Sequence, residues 1–139
     1  MYPDANIPVV QLSVNARNSA SQNYQIGEKL NVLREEGVLI MGSGNVVHNL
    51  VLVDWQRQGG FDWADQFDQY IKTAVIEMCH GDVIHFEKNG SFAACSFRHC
   101  DHYDPLLYVL GAAGTDAQVK VFNEARVLGA LSMTSYCFY

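Results

Sequence analysis

A chain of 139 residues, 49% of them hydrophobic, is one domain's worth of sequence and long enough to bury a core. Its formal net charge of -6, with nine Lys and Arg and no basic cluster, excludes a nucleic-acid surface and disfavours an anionic membrane, because phosphate neutralisation needs clustered cations. No apolar run approaches the ~20 residues that span a bilayer and no secretory pattern opens the chain, so a soluble, cytoplasmic protein is expected, with Cys79, Cys95, Cys100 and Cys137 as reduced thiols.

In chain order, Ile7 to Val14 is β-branched and apolar at its start and alternates toward its end, which predicts a strand that tolerates Pro8 near its beginning. Ser19 with Gln22 forms a capping-box pattern, and Ala20, Tyr24, Gly27, Leu30 and Leu33 recur at helical spacing up to a C-cap at Gly37. Val38-Leu39-Ile40-Met41 then predicts a strand buried on both faces, and Gly42 and Gly44 allow a sharp turn at its carboxyl end. Strand, helix and strand in this order make a βαβ unit with parallel neighbours.

The loop from Trp55 to Phe61 has the glycines and aromatics of a flap over a pocket. Asp62 to Met78 keeps helical period and is closed by Gly81, after which Asp82 caps a short turn through Phe86, with His80 and His85 read as solvated. Ser91 to Phe97 is ambiguous. Asp104-Pro105 starts a helix that is apolar on all sides through Ala113 and therefore belongs in the core. Val119 to Phe122 and Ala130 to Phe138 predict strands joined around Asn123 to Arg126. The fold class expected is α/β, a three-layer arrangement with a mostly parallel central sheet flanked by helices and mixed by a carboxyl-terminal β pair.

Two polar knots carry chemistry. His48 follows the glycine turn, at the strand end where open α/β sheets bind ligands, and is either a metal or proton-transfer group or a packed, hydrogen-bonded side chain. Arg98-His99-Cys100-Asp101-His102-Tyr103-Asp104 brings together nearly every common transition-metal donor type, although charges ahead of a helix also suit its positive end. Gly42-Ser43-Gly44 lacks the third glycine of a dinucleotide fingerprint and the lysine of a P-loop, which excludes nucleotide binding. Ser43 lacks a nucleophile elbow, leaving a hydrolase or small-ligand module the weakest reading. A thiolate at Cys100 is favoured by His99 and opposed by Asp101.

The segments 1–14, 42–50, 102–112 and 129–136, and above all Gly44-Asn-Val-Val-His-Asn-Leu50, closely resemble the 4,5-DOPA extradiol dioxygenase family of class III ring-cleavage enzymes. The resemblance runs in order along residues 1–139, which resemble only the carboxyl-terminal half of such an enzyme, read as a single domain. The family's His-Gly-Ser-Pro and Ser-Ala-His-Trp motifs, which carry metal-binding histidines, are absent. His48 matches the family histidine assigned to metal binding or acid/base work. His102 matches the histidine of a Pro-Thr-Pro-Glu-His-Tyr motif, preceded here by Arg98-His99-Cys100-Asp101.

The resemblance implies a metal-dependent extradiol dioxygenase acting on a small aromatic diol and O2, with Fe(II) or Zn(II) as the metal. His48 and His102 are the candidate catalytic residues, His48, His102 and Asp101 the candidate ligands, and Asn45 and Tyr103 the candidate substrate contacts. A facial iron site needs two histidines and one carboxylate, which this set matches by type. Loss of half a domain uncovers apolar surface, so a homo-oligomer or a second chain supplying the missing half is expected. The alternative is a non-catalytic metal-binding or interaction protein derived from that family.

Overall fold

The computed structural model describes residues 3–139. It has an α/β fold of six helices, α1 (Ala20–Leu30), α2 (Val32–Glu35), α3 (Asp62–Ile76), α4 (His80–Ile84), α5 (Ser91–Ser96) and α6 (Asp104–Ala113). Single 3-10 turns at Phe86–Asn89 and Cys100–His102 precede α5 and α6, and four short strands follow: β1 (Val119–Phe122), β2 (Arg126–Val127), β3 (Leu131–Ser132) and β4 (Ser135–Phe138).

The first helix begins where its cap dictates. The Gln22 amide donates to Ser19 Oγ at 3.2 Å and the Ser19 amide to Gln22 Oε1 at 2.8 Å, so two otherwise orphaned donors are satisfied. α1 lies directly against α6 because both helices present glycine at the crossing: a Cβ on Gly27 would overlap the Tyr108 carbonyl, and one on Gly111 the Tyr24 carbonyl. Asn31 Nδ2 and Arg34 Nη1 then donate to the Ala112 and Ala113 carbonyls at 2.6 and 2.5 Å, closing the carboxyl end of α6. As its composition predicts, α6 is buried along most of its length.

α3 buries Phe67, Ile71 and Val75, with Asp62 and Asp65 at its amino end where the helix dipole favours negative charge. It stops at Ile76 rather than Met78, because Met78 itself adopts a left-handed conformation at φ 55°, and Gly81 lies inside α4 instead of ending α3. Beside α3, Phe67, Phe86, Phe97 and Tyr103 pack ring to ring, the closest pair being Phe86 and Tyr103 with centroids 4.8 Å apart. Of the ambiguous stretch 91–97, Ser91–Ser96 is helical and Phe97 is extended.

The mostly parallel central sheet is not formed. Among the described residues there are two antiparallel pairs, β1 with β4 in the register Val119↔Phe138 to Phe122↔Ser135, and β2 with β3. The expected strands at 7–14 and 38–41 are unpaired. Most of their apolar side chains face solvent, with Val10 92% exposed, Leu39 67% and Met41 65%, while Val14 and Ile40 are half-buried. A strand buried on both faces needs neighbours on both faces, and this chain provides only the partial cover of Pro105, Val109 and Tyr136 across a groove from 38–41.

Candidate active site

The His48 segment is held by backbone bonds on two sides. The His48 amide donates to the Ser96 carbonyl at 2.8 Å, while Ser132 donates to Val47 and Asn49 to Ala130 at 3.0 and 3.1 Å. Asn49 Nδ2 adds a bond to the Cys95 carbonyl at 2.7 Å. The segment is therefore wedged between the end of α5 and β3.

His102 reaches the same place from the 3-10 turn ahead of α6. Its carbonyl accepts from the Asn45 amide at 2.8 Å, and a Cβ on Gly44 would overlap that carbonyl oxygen, so only glycine permits this approach. The consequence is that the imidazoles of His48 and His102 stack, with centroids 3.6 Å apart and planes 12° from parallel. Burial, and next the neighbouring His102, push the His48 pKa below its ordinary value, while Asp101 works in the opposite direction. A neutral His48 at pH 7 can accept a proton.

The other expected site residues have different placements. Asp101 is exposed and acts on His48 through its charge. Asn45 Nδ2 donates to the Ser132 carbonyl at 2.7 Å, so its amide braces the turn against β3. Tyr103, expected to contact substrate, is fully buried beneath the site with its hydroxyl donating to the Val83 carbonyl at 2.7 Å, and offers no accessible surface in this chain. Burial pushes the Cys100 thiol up, with Asp104 and Asp101 adding to the effect, which disfavours a reactive thiolate.

The residues present do not complete a metal site. A ring nitrogen binds a metal in the plane of its ring at about 2.0–2.1 Å, and two stacked, nearly parallel planes meet far outside that distance. Among the described residues no group of three or more His, Cys, Asp and Glu side chains could hold an ion. The expected set of His48, His102 and Asp101 thus gathers two imidazoles face to face and leaves the carboxylate outside.

A groove of about 500 Å³ runs from His102 between Val38, Leu39, Pro105, Val109 and Tyr136. The larger hollow, about 860 Å³ between Gly60, Gln69, Asn89 and Arg126, has neither histidine in its wall and is too remote from the chemistry to be its pocket. The expected flap at 55–61 is pinned instead: Phe61 donates to Gly129 at 2.7 Å and Gly129 to Gly59 at 2.9 Å.

Two buried polar groups were missed by the sequence reading. Asp68 is buried against Ser132, Thr134 and Arg126, with Thr134 Oγ1 donating at 2.8 Å and Arg126 Nη2 3.0 Å away. His80, expected in solvent, is 7% exposed and bonded through Nδ1 to the Tyr24 hydroxyl at 2.6 Å. No local signal marks either, since their partners lie on distant elements.

Residues 1–139 match the family described as the catalytic LigB subunit of aromatic ring-opening dioxygenase. A 4,5-DOPA dioxygenase extradiol of Escherichia coli is 39% identical over 97% of this chain and 51% of its own length, and one of Beta vulgaris is 33% identical over 99% and 52%. A crystal structure of an uncharacterized Escherichia coli K12 protein superposes with a TM-score of 0.88 at 36% identity, over 98% of this chain and 57% of that one. The chain spans about half the length of the curated relatives it matches. By sequence along its whole length and by fold, the chain belongs to the LigB family of aromatic ring-opening dioxygenases.

Proposed function

We propose that this chain is the carboxyl-terminal half of a metal-dependent extradiol dioxygenase that opens a small aromatic diol of the DOPA or catechol type with O2. The observation that carries the reading is the stacking of His48 on His102, two histidines 54 positions apart brought together beside a groove that His102 lines. A site for ring opening beside a diol must take protons from hydroxyl groups, and an imidazole held neutral near pH 7 suits that work. His48 is assigned proton acceptance and His102 its partner, with Asp101 tuning His48 by charge. The metal, Fe(II) or Zn(II), requires donors beyond those gathered here, supplied by the half of the relatives' length that this chain does not span. The cellular setting assigned is the cytoplasm; among the described residues no helix is long and apolar enough to cross a membrane.

A second reading, a non-catalytic binding or interaction protein, draws on the lack of a three-donor cluster among the described residues. Oxygen uptake separates the two. The chain is co-expressed with the other half of the Escherichia coli relative, loaded anaerobically with Fe(II) and given L-DOPA or catechol. Uptake that falls at least ~100-fold in His48→Ala and His102→Ala, the lower end of the range for a general acid-base group, upholds the dioxygenase. No uptake at stoichiometric iron leaves the binding protein.

A further inference from the structure

Asp68 is a fully buried carboxylate on the inner face of α3. The cost of desolvating such a group can exceed what its ion pair returns, and an apolar side chain of similar size is often as stable in its place. Its use therefore lies in what it fixes. It accepts from the Ser132 and Thr134 hydroxyls and pairs with Arg126 Nη2 at 3.0 Å, so one carboxylate grips β2, β3 and the link into β4.

The hairpin of β2 and β3 has little with which to hold itself. Its pairing is two residues long, and its turn keeps Leu128 in the left-handed region at φ 54°. Yet β3 is what places His48. The Ser132 amide donates to the Val47 carbonyl at 3.0 Å, the Ser132 carbonyl accepts from Asn45 Nδ2 at 2.7 Å, and Leu131 forms an antiparallel bridge with His48 itself. Asn45 donates in turn through its backbone amide to the His102 carbonyl. Ser132 thus meets Asp68 with its hydroxyl and the 45–47 segment with both of its backbone groups.

We propose that Asp68 is a positioning residue for the His48 and His102 pair, acting through Ser132: it sets where β3 lies against α3, and β3 sets where His48 lies against His102. Asp68 is not part of the groove wall, so its influence reaches the reaction by geometry and not by contact with substrate. That the pair moves protons rests on the reading above; that Asp68 places the pair does not.

Two measurements test it. In NMR spectra of this chain alone, inter-ring NOEs and mutual ring-current shifts between His48 and His102 report the stacking. Ser132→Ala, which keeps both backbone bonds but frees β3 from the carboxylate, loses them, and so does Asp68→Ala. Asp68→Asn, whose side-chain oxygen still accepts from Ser132, retains them. Tyr24→Phe, which removes a buried bond between α1 and α4, shows what lost stability does alone and leaves them in place. In the co-expressed, Fe(II)-loaded protein, Ser132→Ala lowers kcat about 10- to 100-fold with KM for the diol within about twofold, because a displaced base costs rate while no substrate contact is removed. Stacking that survives both Ser132→Ala and Asp68→Ala overturns the proposal, as does its equal loss in Tyr24→Phe. Lost stacking with an unaltered kcat keeps Asp68 as the group that places the pair and removes the pair from the reaction.

Discussion

The Asn45 amide donates to the His102 carbonyl over 2.8 Å, and this single backbone bond ties the two histidine-bearing segments together. Gly44 makes the approach possible. Gly44→Ala forces a methyl group into the His102 carbonyl, so it separates the imidazoles and costs about 1–3 kcal/mol, the usual penalty for overpacking. Urea unfolding gives the stability, and loss of the mutual ring-current shift between the two imidazoles in NMR spectra reports the separation.

His48 titrates below its ordinary value in an NMR pH series. Burial is the larger cause and the positive charge of a protonated His102 the next, so His102→Ala moves the midpoint up without restoring it fully. Asp101→Asn removes the one opposing charge and moves it further down. A His48 midpoint unaffected by both substitutions contradicts the arrangement.

Acid sensitivity is expected from His80. Burial depresses its proton affinity in the folded chain, with Glu28 opposing weakly, while the unfolded chain binds a proton near pH 6.5. Its contribution is therefore fully present above about pH 6.5 and is lost as pH falls toward the lower folded value. Between about pH 7.5 and 5, urea midpoints of His80→Leu decline less than those of the unaltered chain. Tyr24→Phe costs about 1 kcal/mol at neutral pH through the lost 2.6 Å bond.

Asp68 anchors the β hairpin region to α3. Asp68→Ala leaves Arg126, whose side chain is 18% exposed, without its buried partner, and is expected to cost about 3–5 kcal/mol by chemical denaturation. Asp68→Asn retains hydrogen bonding to Ser132 or Thr134 and costs less.

What could be read from the sequence was what is settled locally. The Ser19–Gln22 cap, the Asp104–Pro105 helix start and the β1–β4 pair depend on neighbours or on strong pattern, and all three are present. The resemblance linked His48 to His102, and the structure brings them into contact. His80 could not be placed because its burial depends on a tyrosine 56 residues away, and Tyr103 could not because its depth depends on the aromatic cluster beside α3. The apolar patterns at 7–14 and 38–41 predict strands that are not formed, because pairing is a property of the surroundings and no described residue pairs with either segment.

The bare run 38–41 carries no charge and no proline, a composition prone to stack into cross-β fibrils. Glu35 and Glu36, one glycine ahead of it, have the placement of gatekeepers whose like charges oppose association. That protection is electrostatic, so it weakens as salt rises. The same four residues are, while uncovered, where association between copies of this chain is expected to begin.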